Sequence, residues 1–194
     1  MPDADLKGLL REIRACVVCS EHLPAGPRPI VQAGSAARLV IIGQAPGRRV
    51  HQSGIAWDDP SGVRLRGWLG LSEREFYDPA RTALVPMGFC YPGTGASGDL
   101  PPRPECAPLW HGPLLDLLPS DRLTVIVGAY AQRRYAADAG AAVTEVVGRW
   151  RELLPERIVI PHPSPRNRAW IARNPWFETE TVPAIRARVR ALLG

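Results

Sequence analysis

Four cysteines carry the most specific chemistry in this chain, arranged as Cys16-x2-Cys19 and, far downstream, Cys90 and Cys106. Thiolates are soft ligands, and a CxxC pair completed by two distant cysteines offers a metal four sulfurs. Structural zinc and an iron–sulfur cluster both accept that set, and tetrahedral four-sulfur geometry alone does not separate them. The plainer alternative is four unrelated buried thiols, because free cysteine packs like a small hydrophobe. Two loops are the other candidates. Gly43-Gln44-Ala45-Pro46-Gly47 is bounded by glycines and stiffened by proline, so its amides can approach a ligand closely, although most such pentapeptides are only tight turns. It is not a phosphate-binding Walker loop, since no Gly-Lys-Ser/Thr follows, and it lacks the three glycines of a dinucleotide fingerprint. His162-Pro163-Ser164-Pro165-Arg166-Asn167 fixes an imidazole between prolines, where it is either a buried structural donor or a group placed to meet developing negative charge.

Both loops follow short, β-branched apolar runs. Such runs occur at Arg38–Ile42, Thr82–Met87, Leu123–Val127 and Arg157–Ile160, each ending near Gly or Pro, as buried parallel strands do. An amphipathic helix is expected over residues 3–15, with further helices at 62–70, 105–117, 129–137 and 177–192. Strands alternating with helices predict an α/β fold, a three-layer α/β/α sandwich with a central, mostly parallel four-stranded sheet. Such sheets bind ligands beyond the carboxyl ends of their strands, where both loops fall. With 194 residues and 45% hydrophobic content, one domain over 1–194 is expected rather than a disordered tail. There is no signal-peptide pattern and no apolar run of bilayer length, so a cytoplasmic location with reduced thiols and no membrane partner is expected. The 24 basic residues against 19 acidic give +5, and all but Lys7 of the basic set are arginine. Arginine suits phosphate and base stacking, yet arginine richness also follows from genome base composition, so charge alone argues only weakly for nucleic acid.

The strand followed by Gly43–Gly47, the loop His162–Asn167 and the cysteine spacing, taken in order, resemble the uracil-DNA glycosylase superfamily, and most closely its iron–sulfur branches, families 4 and 5. The resemblance runs from Cys16 to about Asn167. It implies a uracil-DNA glycosylase-like domain that flips uracil out of DNA and hydrolyses its N-glycosidic bond to begin base excision repair. It further implies a structural 4Fe–4S cluster on Cys16, Cys19, Cys90 and Cys106, with zinc as the runner-up, and a monomer acting on uracil-containing DNA.

Residue by residue, Gly43, Gln44, Ala45, Pro46 and Gly47 are similar to motif A, which surrounds the uracil and handles the attacking water. Family 4 usually has glutamate at the place of Gln44, and families 1 to 3 have Asp or Asn at the place of Ala45. Gln44 can orient water but is no strong base. Trp57 falls where family 4 stacks a phenylalanine on the base, and with a one-residue gap Asp59 falls on the catalytic carboxylate of family 5. Asp58 and Asp59 are equally suited to capping a helix that begins near Ser61. His51 is a third candidate for handling water. His162 corresponds to the motif B histidine that hydrogen-bonds uracil O2 as the base leaves. Ser164 is expected to pin a phosphate, and Arg166 and Asn167 to lie where the family inserts a wedge into DNA. Arg168 and Arg173 read as a solvated face.

One departure concerns selectivity. Family 4 has an asparagine four residues before its third cysteine, and Pro86 stands there instead. Base discrimination is then expected from Met87, Gly88 and Phe89, or from Tyr91 crowding a thymine methyl. Two alternatives remain: a catalytically weak protein of the same fold that binds uracil or abasic sites, and an unrelated zinc-stapled nucleotide hydrolase.

Overall fold

The computed structural model describes residues 2–96, 98–136 and 141–194. In chain order its strands are β1 (Leu39–Ile42), β2 (Thr82–Leu84), β3 (Thr94–Gly95), β4 (Gly98–Asp99), β5 (Leu123–Val127) and β6 (Arg157–Ile160). The helices are α1 (Pro2–Arg14), α2 (Arg48–Ser53), α3 (Pro60–Leu69), α4 (Glu73–Tyr77) and α5 (Cys106–Asp116). They continue with α6 (Gly128–Tyr135), α7 (Val143–Gly148), α8 (Trp150–Leu153), α9 (Arg168–Arg173) and α10 (Val182–Leu193).

The four apolar runs form one sheet in the order β2-β1-β5-β6, and every pair in it is parallel. All four residues of β1 are fully buried, so both faces of the sheet are covered. On these faces α10 packs against β1 and α3, α6 against β5, α7 and α8 against β6, and α4 against β2. The protein is therefore the expected three-layer α/β/α sandwich. Its outer strand β2 is partly shielded by Gln32, whose backbone pairs with Leu84 and whose amide donates to the carbonyls of Thr82 and Phe76. Covering an edge in this way removes a template for unwanted pairing.

Differences from the sequence reading have local causes. The second run was expected to reach Met87, but β2 ends at Leu84 and Pro86 brings no N–H to a ladder. Beyond it the amides of Met87 and Gly88 still donate to the carbonyls of Gly43 and Gln44, at 2.9 and 3.0 Å, so β2 ties itself to the first loop. The helix expected over 177–192 starts as a π-helical stretch, Phe177–Thr181, and becomes α10 with Pro183 in its first turn, where a missing N–H costs nothing. Residue 137, the expected end of α6, lies outside the described residues. The helices α2, α4, α7, α8 and α9 are four to six residues long, too short to print a 3.6-residue period. Among the described residues, no helix is long and apolar enough to cross a membrane.

Candidate active site

A cavity of about 380 Å³ opens beyond the carboxyl ends of β1 and β6. Its wall gathers Gln44, Ala45, Pro46 and Gly47 from the first loop, Trp57 and Asp59 from the approach to α3, and His162, Ser164, Arg166 and Asn167 from the second. In the order β2-β1-β5-β6 the chain changes direction between β1 and β5, and an open parallel sheet takes its ligand at such a point.

Trp57 is held from several sides. Its φ is 58°, a left-handed conformation that bulky residues avoid and that costs on the order of 1–3 kcal/mol. Its carbonyl occupies the place a Cβ on Gly62 would need, only 1.8 Å away, and its indole lies on Gly43, where a Cβ would meet the ring at 2.6 Å. The two glycines therefore admit the tryptophan rather than the cavity directly. Upstream, Arg28 donates to the carbonyls of His51 and Gln52, at 2.5 and 3.0 Å, and anchors the end of α2. Strain maintained by its surroundings at a cavity wall is characteristic of a functional position.

His162 lies 5.7 Å from the Trp57 ring, nearly parallel to it. Burial lowers its pKa while the charge of Asp59 works in the opposite direction, so the imidazole is biased toward neutrality. The Ser164 amide donates to His162 Nδ1 at 3.2 Å, which leaves the hydrogen of the neutral ring on Nε2. The Asn167 side chain donates to the His162 carbonyl at 2.7 Å and pins the loop. Ser164 caps the 3₁₀ turn Pro165–Asn167 by accepting from the Arg166 amide. Ser164 and Asn167 thus shape the loop from within, besides lining the cavity.

Asp59 serves as both cap and wall. It is the N-cap of α3, with Oδ1 accepting the Gly62 N–H at 2.8 Å, and it lines the cavity as well. Asp58 lies on a separate cleft with Tyr77. A second carboxylate that the sequence reading overlooked, Asp99 of β4, also lines the cavity. Its carboxyl is pushed up by partial burial, against the pull of the Arg166 guanidinium and with a smaller push from the charge of Asp59.

Several expected residues stand elsewhere. His51 is not in the cavity wall. Its ring faces Tyr91 at 5.7 Å because α2 turns Val50, not His51, toward the cavity. Met87, Gly88 and Phe89 do not line it either. The first two have their amides committed to the first loop, Gly88 backs onto Pro102, and Phe89 is buried against His111. Pro86 does line the cavity. No sequence signal marked Asp99, which follows a Gly-rich turn in the segment between the last two cysteines.

The four cysteines share a second pocket, apolar, with Leu23, Phe89 and Trp110 in its wall. Burial pushes Cys90 up to about 11 and Cys106 up to about 12, and the charges of the other thiols add to it. Backbone hydrogen bonds oppose the shift, including the Phe89 amide donating to Cys106 Sγ at 3.3 Å. Among the described residues, no three or more His, Cys, Asp or Glu side chains are gathered as a site for a metal ion.

A polar cavity at the strand ends of a parallel sheet, holding a neutral histidine, an aromatic wall and carboxylates, defines an α/β protein equipped to bind and act on a planar ligand. The family model of the Uracil DNA glycosylase superfamily matches residues 31–186, and the chain belongs to that superfamily. The match spans both loops, Trp57, Asp59, Asp99, Cys90 and Cys106, and begins beyond Cys16 and Cys19.

Proposed function

We propose that this protein is a monofunctional uracil-DNA glycosylase of the iron–sulfur branch, similar to families 4 and 5, acting as a monomer on uracil-containing DNA. The observation that carries this reading is the convergence of Gln44, Trp57, Asp59 and His162 on one cavity. A base flipped from the duplex stacks on the Trp57 indole, and closure around it leaves room only for the attacking water. His162, neutral and carrying its hydrogen on Nε2, donates to the uracil O2 as charge builds on the departing ring. Asp59, fixed at the head of α3, faces the oxocarbenium character that grows on the sugar. Gln44 orients the water. Arg166, and the exposed Arg48 and Arg49 of α2, supply positive charge near the mouth for DNA phosphates.

The thiol pocket fits an iron–sulfur cluster by its donor set: four sulfurs in apolar surroundings, one already accepting a backbone N–H, as cluster thiolates do. Zinc, which takes the same four-sulfur donor set, is the runner-up, because the resemblance to families 4 and 5 is what favours the cluster. When bound, the cluster would supply a cross-link between the N-terminal segment and the Cys90–Cys106 segment and take no part in the chemistry.

Single-turnover excision from a uracil-containing duplex tests the reading, with His162→Ala as the paired variant. Rapid cleavage that is lost in the variant supports it. Tight binding without cleavage would favour the second reading, a uracil or abasic-site binding protein, whose support is the lack of any carboxylate in Gln44-Ala45.

A further inference from the structure

The segment between Cys90 and Cys106 reaches the cavity as well as the thiol pocket. Its hairpin, β3 paired with β4, carries Asp99 to the cavity wall beside the two loops. Two glycines record how closely it fits. A Cβ on Gly47 would come within 3.1 Å of Asp99 Oδ2, so the carboxylate rests against the first loop. A Cβ on Gly98 would strike the Arg166 guanidinium at 2.1 Å, so the same hairpin closes against the second loop. Gly98 has φ 120°, a conformation an ordinary side chain avoids. The hairpin is thus shaped to set one carboxylate between the two loops.

We propose that Asp99 is the general base that activates the attacking water, supplying from the hairpin the carboxylate that Gln44-Ala45 lacks. This rests on the glycosylase reading above. As the water oxygen bonds to C1′, one of its protons passes to Asp99. The N1–C1′ bond breaks and its electron pair leaves on the base, held at O2 by His162. The proton on Asp99 then passes through solvent to the departed base, so that one water is consumed and free uracil and an abasic sugar are formed. Asp59 is less suited to this step, because its Oδ1 is already occupied by the Gly62 amide as the N-cap of α3. Asp99 has no such tie to a helix N-terminus among the described residues: partial burial raises its pKa, Arg166 opposes that rise and Asp59 adds to it, so the net shift is upward, and a bound nucleotide covering the cavity extends the burial.

The test is single-turnover excision by Asp99→Asn, an isosteric change, measured beside wild type from acid to neutral pH with duplex binding measured in parallel. The expected result is a fall of roughly 10²- to 10⁴-fold in the cleavage rate, with duplex binding retained. The acid limb of the wild-type profile should be lost, while the other groups facing the cavity, Asp59, His162 and Arg166, are left in place. An Asp99→Asn protein that cleaves within a few-fold of an active wild type overturns the assignment of the base and leaves the glycosylase reading standing. A folded wild type that binds uracil duplex and cleaves nothing overturns both.

Discussion

The cavity and the thiol pocket are built by opposite means. The cavity hangs from strand ends: motif A leaves β1, whose residues are fully buried, and His162 lies two residues beyond β6. A packed parallel sheet sets such positions without help from the loops. The thiol pocket draws on segments with little regular structure, the turn after α1 and the Gly- and Pro-rich segment from Gly88 to Cys106, of which only Cys106 enters a long helix. The two sites share a wall. Pro86 faces the cavity, while Gly88, Phe89 and Cys90 face the thiols. The difference teaches that half of the cavity wall is preorganised by the sheet, and that the half carrying Asp99 relies on what ties the cysteine segment down.

Removing that tie should have the largest effect. Cys106→Ser, or chelation of the proposed cluster, is expected to lower stability by on the order of 4 kcal/mol, roughly 10 °C in Tm for a chain of this size. Excision should fall with it, because the hairpin bearing Asp99 loses its anchor. Calorimetry and single-turnover cleavage on the same samples check this, and an unchanged Tm in metal-free protein would make the two sites independent. Next comes the sheet-held half. His162→Ala should slow excision by about 10²- to 10³-fold, near 3 kcal/mol of transition-state stabilisation, with Tm nearly unchanged because the group stands on a rigid strand end. A large Tm loss would mean that the imidazole is a structural donor instead.

A smaller effect probes the wall between the two sites. His111 of α5 is fully buried. Its Nε2 donates to the Pro86 carbonyl at 3.0 Å, and its Nδ1 accepts from the Tyr135 hydroxyl at 2.6 Å. Burial lowers its pKa from the ordinary 6.5 to about 4. The unfolded chain takes up this proton as pH falls through 6.5, and the folded chain resists until about 4. Stability is therefore complete above 6.5 and declines across that window by roughly 3 kcal/mol. His162, also lowered by burial, adds a slope of the same sign. In His111→Gln, which can keep a donor toward Pro86, urea midpoints between pH 7 and 4.5 should converge on the shallower slope left by His162. An unaltered slope would remove His111 from the wall.

These contrasts also explain what could be read from the sequence. The four sheet strands declare themselves as β-branched runs, whereas the Gly43–Gly47 loop, Trp57, Asp59 and His162 drew their expected roles from the resemblance to the glycosylase families, helped by their short distances from strand and helix ends. Asp99 and His111 gave no comparable signal. Asp99 reaches the cavity only because a turn folds the segment between two cysteines back across the sheet ends, a contact of long sequence separation that no periodicity encodes. His111 looks like any histidine in a helix until Phe89 and Tyr135 are stacked on either side of it. His51 was misplaced for the reverse reason: its spacing put it near the loop, and the unread α2 turned it away.

The smallest predicted change separates the two duties of Asp59. As N-cap of α3 it holds the Gly62 amide through one oxygen, and the cap is worth about 1 kcal/mol. Asparagine caps nearly as well as aspartate, so Asp59→Asn should keep the wild-type Tm, whereas Asp59→Ala should lose a few degrees. Both remove the negative charge that faces the sugar, so both should slow excision to a similar degree. If Asp59→Asn cleaves like wild type, the residue is a cap alone and the hairpin carboxylate bears the whole electrostatic load. If Asp59→Asn is slow at wild-type stability, the cation is met by a group anchored to the sheet half of the site and the water by a group anchored to the thiol half. Catalysis would then need both regions in register.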